Sequence, residues 1–465
     1  MEKKRLYVGI DVDEADLEVA FHDRDNNPVR SGQRYDNTPE GIQRLRGDIC
    51  AAASLVGKRP EIWVGFESTS NFHKNLEREL RAARPRRMSV FVLNPRSVKM
   101  FKKMNLQVGK TDEQDARAIA HFLLKEKPAP NPEPAEGQPE LQELVRMRRT
   151  LQEENTMNKN RLRRLLRQHF PGYKQALGAK LNRKTLVAFS NFASPDDILA
   201  AAPGELETAS VAFRHRVGAP FAARLRKLAA AAPVQSLNPG IVFIIKSTAR
   251  RILDLYDTIR ILDSRIEDAL DKYFPDSVLH SVPGLGRISI AAIIAETGDI
   301  SRFATLEDYI GFIGLYPVRW QSGKTDFTSR MTSKGNKLLK MTFLVASAPA
   351  RIYNPVIRAM YDRLRAKGKT KKAAGGAIAR KLAAIVYTLL KNNEQWNPDK
   401  AMRGMTISEK MIADIERKKA EMKKDGRLSG RATREEPCRP ASFPVMGIVA
   451  QTRKPRKKVA VPRRR

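Results

Sequence analysis

The chain has 465 residues, more than one hydrophobic core comfortably serves, so at least two domains are expected. Its 86 Lys and Arg stand against 51 Asp and Glu, a formal charge of +35. An excess of that size implies a polyanionic partner, and with no long uncharged apolar run in view, nucleic acid fits better than a membrane.

The start, MEKKRLYVGI, passes from charges straight into a strand-like pattern with no signal-peptide core, so a cytoplasmic protein is expected, nucleoid-associated when on DNA. RLYVGIDV, DLEVAFHD and a run near PVRSGQRY read as three early strands, and TPEGIQRLRGDICAAASLV as an amphipathic helix. EIWVGFES (strand), NLERELRAA (helix), MSVFVLNP (strand) and TDEQDARAIAHFLLKE (helix) complete an α/β domain over residues 1–127. Cys50 lies in the first helix and Cys438 in a Pro-rich tail, so neither metal spacing nor a disulfide framework is available. Any metal is then held by oxygen, which favours Mg2+ or Mn2+ over zinc.

The Pro-rich, apolar-poor stretch at 128–139 reads as a linker. Residues 140–278 hold two long basic amphipathic helices, over about 140–178 and 247–274, separated by an Ala-rich insert near 180–240. Helices of that kind need a partner, which suggests an antiparallel or intermolecular coiled coil. A compact, mostly helical domain follows over 279–398, and 399–465 reads as a disordered basic tail ending in RKPRKKVAVPRRR.

Four acids of the first domain attract chemistry. Asp11 lies mid-strand in VGIDVD, where a buried charge is expensive unless it is paired or metal-bound. Glu67 ends the fourth strand. In KTDEQDA at 110–116, Thr111 can cap the last helix of the domain, with Gln114 completing a capping box, and Asp112 and Asp115 share a helix face. Asp13 competes with Asp11 but lies nearer the strand end, where it is cheaper to solvate. Phosphoryl transfer on DNA by two metal ions needs several converging carboxylates, and this order of acids is the one expected of an RNase H-like nuclease core.

In VPGLGRISIAAIIAE, Gly284 and Gly286 allow a tight turn before a helix, as in a helix-hairpin-helix, and Arg287 beside it suits a phosphate. In GLYPVRWQSGKTDFTSR, Pro317 and Gly323 break the helical pattern into a loop, and Ser322 sits at the break between Arg319 and Lys324. Lys110 reads as a phosphate contact at the edge of the acids.

GIDV, FEST and KTDEQDA resemble the acidic tetrad of the DEDD (RuvC-like) transposases, recombinases of bridge-RNA-guided bacterial insertion sequences. VPGLGRISIAAIIAETGDISRFATLEDYIGFIGLYP and QSGKTDFTSRMTSKGNKLLKMTFLVA resemble the same family's C-terminal transposase domain, so the likeness covers about residues 5–125 and 279–395. The resemblance implies a RuvC-like catalytic domain in which Asp11, Glu67, Asp112 and Asp115 hold Mg2+ or Mn2+. It also implies a transposase domain supplying Ser322 as nucleophile; the same loop offers Thr325, Ser329 and Ser333 as alternative hydroxyls. Donor and target DNA, a guide RNA, and dimers pairing into a tetramer with composite sites are implied as well. The runner-up is a RuvC-like, metal-dependent junction endonuclease in which water attacks and Ser322 is structural. A non-enzymatic nucleic-acid scaffold explains the charge but not the ordered acids. No P-loop pattern is present, which suits strand exchange that conserves phosphodiester energy in a covalent intermediate.

Overall fold

A computed structural model describes residues 4–68, 72–82, 85, 87–105, 111–202, 204–209, 216–233, 236–322, 325–401, 413, 417 and 420, with backbone alone at 319, 320, 322, 325–330, 399 and 401. Lys110, Lys324 and almost all of the expected tail lie outside the described residues.

The first domain comprises β1 (Arg5–Val12), β2 (Asp16–His22), β3 (Pro28–Asp36), α1 (Pro39–Val56), β4 (Glu61–Glu67), α2 (His73–Ala82), β5 (Met88–Leu93), α3 (Pro95–Met104) and α4 (Asp112–Glu126). They build one sheet in the order β3-β2-β1-β4-β5, antiparallel through β3, β2 and β1 and parallel through β1, β4 and β5. Helix α3 has no counterpart in the pattern read from the sequence.

Strand alternation divides the sheet between two cores. Leu6, Val8, Ile10 and Val12 of β1 pack with Ile42, Leu45 and Ile49 of α1 and Leu76 and Leu80 of α2. Tyr7 of β1 packs with Phe91 and Leu93 of β5, Val98 of α3, and Ile119 and Leu123 of α4. On this second face Gly9 pairs with Gly65. A methyl group at Gly9 would stand 2.0 Å from the Ala116 carbonyl oxygen and 2.5 Å from the Ala120 nitrogen, and one at Gly65 2.8 Å from a Leu123 methyl. The missing side chains are therefore what lets α4 lie directly on β1 and β4.

The helical region comprises α5 (Gln138–His169), α6 (Tyr173–Leu177), α7 (Arg183–Asn191), α8 (Pro195–Ala200), α9 (Glu205–Thr208), α10 (Ala219–Ala230) and α11 (Pro239–Tyr273). The two long helices, α5 and α11, find their partner in each other. Arg148 pairs with Asp263 and Glu154 with Arg251, so the helices run antiparallel within one chain. One end of the pair puts Leu162, Leu166, Ile245 and Ile252 into a core with Leu186, Phe189, Phe221 and Leu225 of the Ala-rich segment. The other end, with Leu141, Val145, Ile266 and Leu270, joins the core of the C-terminal elements.

Those elements are α12 (Arg287–Thr297), α13 (Leu306–Ile313), β6 (Pro317–Ser322), β7 (Thr325–Met331), α14 (Lys337–Tyr353), α15 (Pro355–Ala366) and α16 (Lys371–Asn392). Among the described residues α16 is the one helix long and apolar enough to cross a membrane by length and composition. Its apolarity has a local use, since Ile378, Leu382, Val386 and Leu389 are buried in this core.

Candidate active site

Asp11 is the penultimate residue of β1, closer to the strand's carboxyl end than the mid-strand position expected for it. Glu67 is the last residue of β4, as expected. The parallel register sets Ile10 against Phe66, which brings Asp11 and Glu67 side by side one residue further on, facing α4. Asp13 is exposed in the turn beyond, where its backbone N–H donates to the Asp16 carbonyl. Thr111 caps α4, its hydroxyl accepting from the Gln114 N–H at 3.2 Å, and this fixes the helix start that carries Asp112 and Asp115. The two strand glycines then set that start against the carboxyl ends of β1 and β4.

The acids feel one another. The Asp11 carboxyl is pushed up to about 6 from its ordinary 3.8, first by burial and then by the charge of Asp115, with Asp112 and Glu67 adding to it and Lys102 opposing. Burial likewise raises Glu67; Lys102 counters that and Asp115 reinforces it. Among the described residues no three His, Cys, Asp or Glu side chains close on one point at ligand distance. A lysine ammonium stands among the acids instead: Lys102 Nζ lies 2.9 Å from Asp115 Oδ1 and 3.7 Å from Glu67 Oε1, its side chain one-fifth exposed.

Lys102 and Glu18 were not expected here. Lys102 comes from α3, whose start carries a readable signal in Asn94, the N-cap accepting from the Arg96 N–H, followed by Pro95. Glu18 of β2 sits directly across from Asp11 in the antiparallel register and is raised by burial, with Glu113 and Asp112 adding to the effect and Arg34 opposing it. A glutamate on the polar alternation of a strand gave no sign of that neighbourhood.

The region of Ser322 differs from the expected irregular loop. It is a two-stranded hairpin in which Ser322 ends β6 and pairs with Thr325 at the start of β7, so it stands at the tip. The base is anchored. Thr332 N–H donates to the Tyr316 carbonyl at 3.0 Å, Asn336 N–H to the Phe312 carbonyl at 2.8 Å, and Lys340 Nζ to the carbonyls of Thr332 and Lys334. Gly314 and Gly335, both at positive φ, press backbone on backbone there. Behind this base lies a buried charge. Glu296 of α12 accepts from Arg146 of α5 at 2.7 and 3.1 Å and from Asn336 Nδ2 at 2.6 Å, while Asn336 Oδ1 caps α14 by accepting from the Leu339 N–H.

At the other expected phosphate contact, Gly284 has φ +87° and a methyl there would meet Ala350 Cα at 2.4 Å, so close packing on α14 accounts for this glycine. Gly286 is the N-cap of α12 and faces open space. The Arg287 guanidinium is paired with Asp271 and lies 3.6 Å from Glu267, both on α11. Arg319 lies on β6, and Ser329 on β7; Ser333 is exposed in the anchoring turn.

Comparison with known proteins decides the family. The DEDD transposase model of the IS110 type matches residues 8–171, and the model of the IS116/IS110/IS902 family transposases matches residues 276–362, together more than half of the chain. The chain belongs to the IS110/IS116/IS902 transposase family. Among this family's relatives, a putative transposase for the mini-circle IS117 of Streptomyces coelicolor is 26% identical over 424 residues, covering 85% of this chain and 96% of the relative. A 43.6 kDa protein of insertion element IS110 from the same organism is 27% identical over 300 residues, covering 61% and 71%. A pilin gene-inverting protein of Moraxella bovis is 30% identical over 126 residues, covering 26% of this chain and 38% of the relative.

The matched N-terminal segment contains all four acids, and the second contains Ser322. As a donor set the acids suit the hard divalent ion that such transposases typically use: carboxylates alone, mutually repelling, and already drawing a cation in Lys102.

Proposed function

We propose that this transposase is a site-specific DNA recombinase that cuts and rejoins strands through a serine-linked intermediate at a site built from the RuvC-like acids and the hairpin serine. The observation that carries this reading is the pairing of Glu67 and Asp115, from two separate elements, with one ammonium beside Asp11 of a third, Asp11 and Asp112 lying within electrostatic reach. Asp11, Glu67, Asp112 and Asp115 would hold Mg2+ or Mn2+, which when bound supplies Lewis-acid polarisation of the scissile phosphate.

In the chain's own part of the reaction, Ser322 Oγ attacks phosphorus and gives up its proton. The P–O bond to the leaving 3′ oxygen breaks, leaving a phosphoserine-linked 5′ end and a free 3′ hydroxyl. A 3′ hydroxyl from the partner strand then attacks the phosphoserine and returns the serine. One phosphodiester is formed for each one broken, so no nucleotide cofactor is needed. The anchored hairpin base supports this role by holding the tip on a rigid scaffold.

The relatives named for pilin gene inversion support site-specific recombination as the class of outcome. The charge of +35 supports both DNA and the guide RNA that family likeness implies. A site composed from two protomers within a tetramer belongs to the same reading. The test uses suicide DNA substrates: Ser322→Ala abolishes the covalent protein–DNA adduct, and Asp115→Asn abolishes it while nucleic-acid affinity stays within about twofold. Adducts that persist in Ser322→Ala overturn the serine assignment in favour of water as nucleophile. A discrete structured RNA co-purifying with the protein is expected, and random DNA alone would count against RNA guidance.

A further inference from the structure

Helix α3 is short, capped and seated. Asn94 closes its start, and Val98 and Phe101 are buried beneath it. Its other basic side chains, Arg96, Lys99 and Lys103, are exposed, and Lys102 alone turns inward. The ammonium is thus delivered to the acids by a fixed element. It contacts Asp115 at 2.9 Å and Glu67 at 3.7 Å, which gives one positive charge to a cluster carrying several negative ones. One ammonium paired with Glu67 and Asp115 leaves the remaining carboxylates of the cluster without a matching charge from it. A compact ammonium on a flexible four-carbon stem can be exchanged for a better cation without moving the helix.

We propose that Lys102 is a built-in counter-cation that occupies the place of a divalent ion, so that metal loading requires its ammonium to withdraw from Glu67 and Asp115. The proposal rests on the reading of the four acids as metal ligands. The lysine holds the carboxylates together before the metal arrives and competes with it for the same oxygens. At the few-ångström separations seen here, each ammonium–carboxylate contact that must be broken opposes binding appreciably. Removing the ammonium therefore tightens metal binding while loosening the metal-free fold.

Calorimetric titration of Mn2+ into the full chain at pH 8 tests this, with melting in EDTA as a second readout. Lys102→Met is expected to bind Mn2+ about tenfold tighter than the unmodified chain and to melt lower in EDTA, the deficit disappearing with Mn2+. Lys102→Arg keeps the cation and stays close to the unmodified affinity, and Asp11→Asn loses most of the binding. If Lys102→Met does not fold, Lys102→Gln carries the same expectation. Equal or weaker Mn2+ binding in the neutral variants, with Asp11→Asn still defective, overturns the competition and makes Lys102 a holder of the carboxylates, leaving the metal reading intact. Mn2+ binding that survives Asp11→Asn unchanged, or that is absent throughout, overturns the metal reading and the proposal with it.

Discussion

Asp11 shows the cost of the site most directly. Its folded-state carboxyl titrates near 6 against an ordinary 3.8, so ionising it burdens the native state. A raised acid contributes stability that is fully present below about pH 4 and lost as pH rises through 6. Asp11→Asn mimics the protonated form, and in EDTA it is expected to melt about 2–4 °C above the unmodified chain at pH 8 and level with it at pH 4. Strand cleavage, measured on the same variant, should be abolished. Stability gained together with activity lost would mark Asp11 as held for chemistry. Glu296 is buried for a different purpose, the scaffold: its side chain is 2% exposed, and Arg146 and Asn336 satisfy it. Arg146→Ala leaves that charge half-paired, and a loss of about 2–3 kcal/mol is expected in denaturant unfolding. Glu296 reads in the sequence as one more polar residue after an apolar run. That Asp11, Glu67, Asp112 and Asp115 lie near one another was expected from them as a set. Singly, a strand-end or helix-start acid is most often structural, but an acid on the first strand, one on the fourth and a pair opening the last helix follow the order of the family they resemble. Lys102 was not expected, because in so basic a chain a lysine signals surface.

At the scale of elements, α4 is the part that makes the site, and its seat is two glycines deep. Gly9→Ala drives a methyl into backbone atoms of α4 that cannot step aside, whereas Gly65→Ala meets only the end of the Leu123 side chain. The first is expected to cost about 3 kcal/mol or more and to remove cleavage by lifting Asp112 and Asp115 off the strands; the second costs about 1 kcal/mol and leaves cleavage measurable. Equal losses in thermal melts of the two variants would mean that α4 is not seated as described. The helices of this domain were readable from a period of 3.6, and the central strands from short apolar runs between polar turns, since β1 buries both of its faces. Helix α3 escaped because ten residues with two buried positions, Val98 and Phe101, make too short a pattern, and only its Asn-Pro start gave it away. The hairpin at Ser322 escaped because Pro317 and Gly323 read as breakers, when the alternation of TDFTSRM was the better guide.

For the whole molecule, the antiparallel α5 and α11 act as a strut with a core at each end. The sequence left open whether the two long helices pair antiparallel with each other or with another chain, because amphipathic periodicity gives a face but not what meets it. Charge, by contrast, is fully written in the sequence and acts without a fold. The last thirteen residues, 453–465, contain eight Lys and Arg and no acid. Each phosphate neutralised adds about 0.9 to the slope of log affinity against log salt on duplex DNA. Deleting 453–465 is therefore expected to lower that slope by up to about 7, weakening nucleic-acid binding most at low salt and nearly equally for all sequences. Because the acids and Ser322 are untouched, the single-turnover cleavage rate at saturating DNA should stay within about twofold. A rate that falls in proportion to affinity, even at saturation, would mean that the tail positions the substrate at the site and does more than raise its local concentration.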